Sequence, residues 1–543
     1  MVQTQDKTYQ ELRKIREEQT EKILLLEAEV EWYRQQLGLA KLREFGPSAE
    51  TTTPTQEVLV FNEAEQTADP EVGELPETTV EAPARKRKAV GQRKELLANL
   101  PIQEVLYRLE GDDLVCPTCE NPLHEMGTEI RQEIEVIPPQ FKLIKHIRSK
   151  YCCRNCQNEG EKVVFKSAPM PPPAFPNSLA SPSLVSYILC QKFVLGTPLY
   201  RQEQNLAHLG LPLSRQTLAN WMLWGAENLG PLYNRMKALL LKLDALHADE
   251  TPMQVLKEPG RKAQTKSYIW LYLSGRAGPP IVIYEYQQTR AAQHPRKFLT
   301  GFSGYLHVDG YQSYEGLPGV TLVGCWAHVR RKFFEAVQLL PRSARDKGGT
   351  ATHIGFDFCN RLFAIERQIQ ERLQQQSAEL DWTPEQMAQA RKAERERLSK
   401  PVLAELREWL EVQSVNTLPK TLLGGAIAYA LNQWPKLIAF LADGNLEIDN
   451  NRAERAIKPF VIGRKNWLFA NTPCGAAASA RIYSIVETAK QNGLNPLAYI
   501  TYLFTMLPQI DTTKDDALDM LLPWNEDIQN RFNASKSPLQ IIP

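Results

Sequence analysis

Three acidic residues stand in contexts suited to holding divalent cations. Asp249 follows an apolar run in LHADET, Asp309 follows a second run in YLHVDG, and both runs predict strands that end at an acidic residue. Glu454 falls in the first turns of a helix predicted to begin within DNNRAERAIK. Two strand-end aspartates and one helix glutamate can hold two cations about 3.5–4 Å apart, an arrangement suited to phosphodiester displacement. Magnesium prefers such carboxylate oxygens.

Ordinary structural roles explain the same residues one at a time. Asp449 suits a helix cap, which is the role we favour for it, and Glu454 suits an i,i+4 pair with Lys458. The spacing by itself therefore leaves both explanations open.

Two Cys-x-x-Cys pairs predict a structural zinc site. Such pairs form tight turns that aim two thiolates at one tetrahedral ion, and the predicted ligands are Cys116, Cys119, Cys153 and Cys156. The 33 residues between the pairs exceed the usual spacing and would have to hold strands. Buried or redox-active cysteines are the alternative.

A basic ribbon runs into the second cysteine pair. No acidic residue interrupts it, which suits a DNA backbone, and it contains Lys142, Lys145, Arg148 and Lys150.

A helix-turn-helix is predicted next. Leu199–Leu209 forms the first helix, Gly210 its C-cap, and Ser214 the N-cap of a second helix that extends to Trp224. The residues facing outward near the start of the second helix, where base edges are read, are Arg215, Gln216 and Asn220. Any short helical hairpin shares this pattern.

The elements around these residues divide by composition. Apolar residues from Ile23 to Ala40 repeat in steps of three and four, which predicts a coiled coil that mediates self-association, or else a helix packed on its own protein. Residues 50–84 hold nine acidic and no basic residues and predict a solvated linker. Residues 85–94 hold six basic residues, a cluster that attracts phosphate or simply aids solubility.

Whole-chain composition narrows the class of protein. The 543 residues carry 64 basic and 63 acidic side chains, 43% of the residues are apolar, and the nine cysteines are too few for a disulfide scaffold. The first twenty residues lack a signal-peptide core and no long apolar run exists, so we expect a cytoplasmic protein with no membrane partner. Residues 1–84 hold a charge of −10, so the remainder holds +11 despite the net +1.

Longer motifs resemble a known family. They include HADETP, HVDGYQSY, CWAHVRRKF, DNNRAERAIKPF, GRKNWLFA and YSIVETAKQNGLNPLAYI, in this order. Together with GTPLYRQEQNLAHLGLPLSRQTLANWM and the two cysteine pairs, they resemble the transposases of the insertion sequence 66 family, from about residue 95 onward.

The resemblance implies a DDE transposase. Asp249, Asp309 and Glu454 match its catalytic triad, which would bind Mg²⁺ (or Mn²⁺), and the four cysteines match its segment for structural Zn²⁺. Cys325 and His328 are similar to a Cys-x-x-His signature of such enzymes, with a packing role favoured over a zinc site. Positive charge around the site, gripping DNA phosphates, is expected from Arg452, Arg455, Lys458, Arg464 and Lys465.

The implied fold is multidomain, mixing α+β and α/β parts. It comprises a coiled coil, a zinc-ribbon-like domain, a helical helix-turn-helix domain and a ribonuclease-H-like catalytic domain with a helical insertion. The expected segments are 1–45 (coiled coil), 46–95 (acidic then basic linker), 96–167 (zinc-binding), 168–240 (helix-turn-helix), 241–345 and 444–510 (catalytic core), 346–443 (insertion) and 511–543 (tail).

The implied function is transposition of a bacterial insertion sequence. The protein would bind double-stranded DNA at the element's terminal inverted repeats, cleave it, and join it to target DNA near the nucleoid. It would act as a homo-oligomer, at least a dimer, with companion proteins of the element as further possible partners. The alternatives are a DNA-binding protein with a decayed nuclease domain, and a ribonuclease-H-like nuclease that cuts without joining.

Overall fold

The computed structural model describes residues 139–152 and 165–533, with five isolated positions between residues 19 and 37. The four predicted zinc ligands and most of the predicted coiled coil lie outside the described residues. Three residues of the heptad seam are described: Val30, Tyr33 and Leu37 are helical and 49%, 58% and 62% exposed.

A short ribbon and four helices precede the main sheet. Strands β1 (Lys150–Cys152) and β2 (Phe165–Ser167) pair antiparallel. The helices that follow are α1 (Pro182–Phe193), α2 (Leu199–His208), α3 (Arg215–Asn228) and α4 (Gly230–Leu240).

Helices α2 and α3 form the predicted helical hairpin. Gly210 adopts φ +83°, which suits the residue after a helix end, and Ser214 Oγ accepts from Thr217 N at 3.2 Å as the predicted N-cap. Leu218 is fully buried in the angle between the helices. Helix α3 ends at Asn228, four residues later than expected, because Gly225 and Ala226 pack into the core.

The main sheet has five strands in the order β5-β4-β3-β6-β7. Its elements in chain order are β3 (Ala245–Gln254), β4 (Lys266–Ser274), β5 (Val282–Gln287), the helix α5 (Gln293–Phe298), β6 (Gly304–Val308) and β7 (Val320–Gly324). Strands β3, β4 and β5 pair antiparallel, so the hairpin predicted from 268–273 and 281–286 is confirmed. Strand β6 pairs parallel with both β3 and β7.

The expectation that strand β3 ends at Asp249 is wrong. Asp249 pairs with Leu271 in the middle of a ten-residue strand that continues to Gln254. The strand continues because its antiparallel partner β4 continues beside it. Its parallel pairing with β6 stops at His247, so only the β6 side of Asp249 is open.

The part of the described chain that follows β7 is mainly helical. The stretch predicted as helical at 353–441 forms helices, in a series that contains α6 (Trp326–Gln338), α7 (Arg342–Lys347), α8 (Ala351–Leu380), α9 (Pro384–Asn416) and α10 (Leu422–Leu437). Then follow α11 (Asn451–Trp467), α12 (Pro473–Gln491), α13 (Pro496–Met506), α14 (Asp515–Asp519) and α15 (Glu526–Phe532). Among the helices that the structure describes, none is long and apolar enough for a membrane span.

Helices α11 and α12 cover the sheet. Helix α11 packs on β3, and α12 packs on the edge strand β5. Two buried hydroxyls of α12 accept from the edge-strand backbone: Ser484 Oγ from Tyr284 N at 2.8 Å, and Thr488 Oγ1 from Val282 N at 3.0 Å. The edge strand is thereby closed to further strand pairing.

The helices α6, α8, α9 and α10 enclose a second core next to β7, with Trp326 and Leu406 fully buried in it. The fully buried Arg395 of α9 ties this core to the segment that leads into α11. Its guanidinium pairs with Glu366 of α8 at 2.7 and 2.8 Å and donates to the carbonyls of Phe440 and Leu446, each at 2.9 Å.

We expect Arg395→Ala to lower the free energy of unfolding by about 3–5 kcal/mol, since Glu366 and the carbonyls lose their donor in a buried place. Urea unfolding monitored by tryptophan fluorescence measures the change. The control is Arg397→Ala on the same helix, whose exposed pair with Glu394 contributes less than about 1 kcal/mol. Equal effects of the two substitutions would contradict the assignment.

Candidate active site

The pairing of β3 with β6 brings the two predicted aspartates together. His247 pairs with His307 in parallel register, and each aspartate lies two residues further along the chain. Parallel strands advance at the same rise per residue, so Asp249, within β3, and Asp309, directly after β6, lie side by side. One carboxylate oxygen from each of Asp249, Glu250 and Asp309 lies within 4.8 Å of the others.

Helix α11 brings Glu454 to the same region. Its Oε1 lies 3.8 Å from His328 Nε2, and its Oε2 lies 3.7 Å from a guanidinium nitrogen of Arg331. Among the residues described, Glu454 Oε1 is buried without a hydrogen-bond donor. Glu454 also contributes to raising the pKa of Asp249. The charge of Glu454 therefore reaches Asp249, although the oxygens that group within 4.8 Å of one another are those of Asp249, Glu250 and Asp309 and do not include Glu454.

The electrostatics of this group favour a bound cation. Burial first, and then the nearby charges of Glu250, Asp309 and Glu454, raise the pKa of Asp249 from 3.8 to about 8. A divalent cation would stabilise the ionised carboxylates that now repel one another. The donors are hard oxygens, and Glu454 Oε1 is buried without a hydrogen-bond donor, so the residues fit a hard divalent cation.

Glu250 belongs to the acidic group but is already paired. Its side chain is 1% exposed, receives a bond from Arg290 Nε at 2.8 Å, and accepts from Tyr314 Oη at 2.6 Å. Burial raises its pKa while these donors lower it. Glu250 thus fastens β3 to the loops after β5 and β6, a role that sequence reasoning missed.

A buried pair of histidines on β3 and β6 lies two residues before the two aspartates. The rings of His247 and His307 stack with centroids 4.1 Å apart. Burial lowers the pKa of His247 to about 4, so the ring is neutral. The His-x-Asp pattern repeated in HAD and HVD was the available signal for this pair.

Asn450 joins the elements of the site. Its Nδ2 donates to Ala248 O at 2.9 Å, which leaves Oδ1 to accept from His247 Nδ1–H, also at 2.9 Å. Its backbone N donates to Cys325 Sγ at 3.2 Å. Asn450 is the N-cap of α11, but its side chain reaches into β3 and does not cap the helix. The helix that carries Glu454 is thereby fixed to the strand that carries Asp249.

Residues beside Asn450 complete the start of α11. The expectation that Asp449 caps α11 is wrong, because the N-cap is Asn450. Asp449 lies one residue earlier and accepts from Asn451 N at 3.0 Å. Burial raises the pKa of Asp449 to about 6. Glu447 lies 3.5 Å from His247 Nε2 and pairs with Arg452 at 2.8 Å.

The Cys-x-x-His signature lies against this network. Cys325 precedes α6 and receives the Asn450 amide, while His328, one turn into α6, faces Glu454. One donor atom each from Cys325, His328 and Glu454 lies within 4.8 Å of the others. Burial raises the pKa of the Cys325 thiol to about 12. The thiol accepts a backbone N–H, and the packing role of Cys325 and His328 stays a prediction.

The residues predicted to contact DNA differ in exposure and in whether they are already paired. On α11, Arg455, Lys458 and Lys465 are exposed, whereas Arg452 is paired with Glu447 and Arg464 donates to Thr251 Oγ1 at 3.3 Å. The exposed residues at the start of α3 are Arg215, Gln216 and Asn220, and those of the ribbon are Lys142, Lys145, Arg148 and Lys150.

Comparison with protein families identifies the chain. The family described as Transposase IS66 family matches residues 177–478, more than half of the sequence. The chain belongs to the IS66 transposase family. Further matches are the zinc-finger binding domain of transposase IS66 at 113–157, the IS66 C-terminal element at 484–524, and Transposase C of IS166 homeodomain at 32–105.

Curated relatives of this IS66-family chain come from Sinorhizobium fredii (strain NBRC 101917 / NGR234). The uncharacterized protein y4qI is 31% identical over 81% of this chain and 78% of its own length. The uncharacterized proteins y4hP and y4jD are each 30% identical, over 75% and 79% of this chain and 73% and 80% of their own lengths. No solved structure matches.

We expect Asn450→Ala to lower the free energy of unfolding by about 2–4 kcal/mol, since His247 and Ala248 O lose buried partners. It should also raise the Mg²⁺ concentration for half-maximal DNA cleavage, because Asp249 and Glu454 lose their common support. Titrations of cleavage with Mg²⁺ measure this effect. The control is Asn466→Ala, an exposed asparagine of the same helix. An unchanged Mg²⁺ requirement would show that Asn450 serves stability alone.

The raised pKa of Asp249 predicts a pH dependence of stability. The folded, metal-free carboxyl holds its proton up to about pH 8, whereas the unfolded one ionises near pH 4. Stability should therefore fall as pH rises between these values, by at most about 1.4 kcal/mol per pH unit. In EDTA, Asp249→Asn should flatten this decline in urea unfolding measured at pH 5.5 and pH 8. Parallel pH profiles of the two proteins would refute the assignment.

Proposed function

We propose that this IS66-family transposase cleaves and joins DNA with Asp249, Asp309 and Glu454 as ligands of two Mg²⁺ or Mn²⁺ ions. The observation that carries the proposal is the register of β3 and β6, which sets the two aspartates side by side while α11 carries Glu454 against β3. The carboxylate donor set and the raised pKa of Asp249 support a cation at this place.

The catalytic domain is proposed to be ribonuclease-H-like. Three antiparallel strands followed by two parallel ones, with the acidic residues on the first and fourth strands, support this assignment. The helices between α6 and α11 supply most of the 145-residue step from Asp309 to Glu454 and are proposed to be an insertion in that fold.

The reaction is proposed to have two steps: hydrolysis of one phosphodiester, then exchange of a second phosphodiester for a new one. Water forms a bond to phosphorus at the element's end, and the bond from phosphorus to the 3′ oxygen breaks, freeing a 3′ hydroxyl. That hydroxyl then attacks a target phosphodiester, and the target strand's own 3′ oxygen leaves. Bound divalent cations would supply activation of the attacking oxygen and stabilisation of the leaving one.

The chain's own residues bind and orient the substrate. Asp249, Asp309 and Glu454 would hold the cations, and His328 and Arg331 lie beside the Glu454 carboxylate and would orient it. Exposed Arg455 and Lys458, on the same helix as Glu454, are proposed to contact phosphates next to the scissile one. Arg452, already paired with Glu447, is the weaker candidate for this task, and Arg464 and Lys465 are proposed to act further along the duplex.

Recognition of the element's ends is assigned to the preceding domains. The helix-turn-helix would read terminal-repeat bases through Arg215, Gln216 and Asn220, and the basic ribbon would grip the backbone. Zn²⁺ is proposed to be held by Cys116, Cys119, Cys153 and Cys156, within the matched zinc-finger segment. The N-terminal heptads are proposed to pair two copies, since two ends must be joined in one complex.

The decisive experiment incubates the protein with labelled DNA carrying the element's ends, target DNA and Mg²⁺. Wild type should produce joined products, and Asp249→Asn, Asp309→Asn and Glu454→Gln should each lose roughly 100-fold or more of that activity, since each removes a cation ligand. The matched control is Asp244→Asn, an exposed aspartate just ahead of β3, which should retain activity.

The remaining outcomes separate the alternatives. Cleavage without joining would identify a nuclease of this fold. DNA binding with no chemistry in any variant would identify a binding protein with a decayed catalytic domain. Unchanged activity in all three carboxylate variants would refute the proposed triad.

A further inference from the structure

Two adjacent large apolar side chains face solvent directly after the helix that carries Glu454. Leu468 is 64% exposed and Phe469 is 43% exposed. They form a turn with Trp467, which itself packs against Phe460 of α11 with ring centroids 5.5 Å apart. We call Leu468 and Phe469 the apolar turn. Neighbouring apolar side chains in solvent are a common feature of interaction sites.

The backbone of the apolar turn is unusual and held on both sides. Leu468 has φ +64° and ψ −52°, and Phe469 N donates to Trp467 O at 2.8 Å, which together make the rare and strained γ-turn of positive φ. Before the turn, Leu468 N donates to Arg464 O at 2.6 Å. After it, Ala470 N donates to Gln254 O at 3.0 Å. The apolar pair is therefore presented in a fixed orientation.

The turn lies at the end of the strand that carries Asp249. Arg464, one helical turn before Leu468, donates to Thr251 Oγ1. Thr251 is two residues beyond Asp249 on β3, so the two side chains project from the same face of the strand, about 7 Å apart. The turn joins β3 at Gln254, five residues beyond Asp249, which is roughly 17 Å along the strand. Base pairs of a duplex rise by about 3.4 Å each, so a duplex entering the active site would meet the turn about five base pairs from the carboxylates.

The surroundings of the turn are basic. Lys465 and Lys257 are exposed, Arg464 is half-buried, and Lys257 N donates to Asn471 O just after the turn. A partner that suits this surface carries negative charge on its outside. It also has apolar surfaces inside that can separate to admit an apolar side chain. Duplex DNA has both, as phosphates and stacked bases.

We propose that the apolar turn inserts between two base pairs of the DNA, unstacks them, and bends the scissile strand toward Asp249 and Asp309. The inference rests on the proposed function and specifies how the same site holds its DNA. Asp249 is only partly exposed, so a bent or opened strand reaches it more readily than a straight one. Leu468 and Phe469 are positioning residues in this arrangement.

The test uses element-end DNA with 2-aminopurine placed in turn at each base step around the cleavage site. Wild type should raise the fluorescence at one step about five base pairs from the scissile phosphate. The double variant Leu468→Gly with Phe469→Ala should abolish that rise and slow cleavage about tenfold or more. Glycine removes the leucine side chain while suiting the positive φ, so the turn itself is retained.

A DNA substrate whose base step is already unstacked tests whether the double variant can be rescued. A mismatch or abasic site at the responding step should restore most of the cleavage rate of the double variant, since the cost of opening the step is already met. The matched control is Val415→Ala with Leu418→Ala, an apolar pair 87% and 56% exposed at the end of α9, which should change neither signal.

Two other outcomes would contradict insertion of the apolar turn, and a third would contradict the proposed function. Unchanged fluorescence and cleavage in the double variant, with wild type active, would overturn insertion of the turn and leave the proposed function intact. A changed sedimentation coefficient with normal fluorescence would identify the turn as a contact between protein copies and likewise overturn it. An inactive wild type in the joining assay would instead refute the proposed function.

Discussion

The structure depends on one constraint: the carboxylates of Asp249 and Asp309 repel each other, yet the pairing of β3 with β6 holds them side by side. The in-register pairing of His247 with His307 places Asp249 and Asp309 side by side, and burial raises the cost of charging them together. Such a group is stable only if neutral, or if a cation is present. The surrounding residues must therefore hold the carboxylates in positions that electrostatic repulsion between them disfavours.

The residues that hold the carboxylates in place converge on the segment that leads into α11. Arg395 holds the carbonyls of Phe440 and Leu446 from the helical side, and Asn450 binds both β3 and Cys325 from the sheet side. Glu454 is 145 residues from Asp309 in sequence, and loop closure over such a distance leaves its position undetermined without contacts of this kind. The long helices after α6 thus serve the site by fixing where α11 begins.

The charge distribution follows the same division of tasks. Acidic side chains near the site are buried or partly buried, and either paired, as Glu250 is with Arg290, or gathered near Asp249. Several basic side chains of α11, including Arg455 and Lys458, remain exposed on the helix that carries Glu454. A near-neutral total therefore coexists with a basic surface next to an acidic recess, an arrangement suited to cations within and phosphates outside.

The sequence alone determined the local features: the β4–β5 hairpin, the helical hairpin with its Ser214 cap, the helical character of 353–441, and the candidate carboxylates. These depend on periodicity and capping within a few residues. Motif order also indicated the family. Only the tertiary structure decided that β3 continues past Asp249, that Asn450 spans two elements, that Glu250 is paired with Arg290, and that Leu468 and Phe469 are exposed. Strand length depends on the neighbouring strand, and a side chain's partners depend on segments up to two hundred residues away, which no local pattern records.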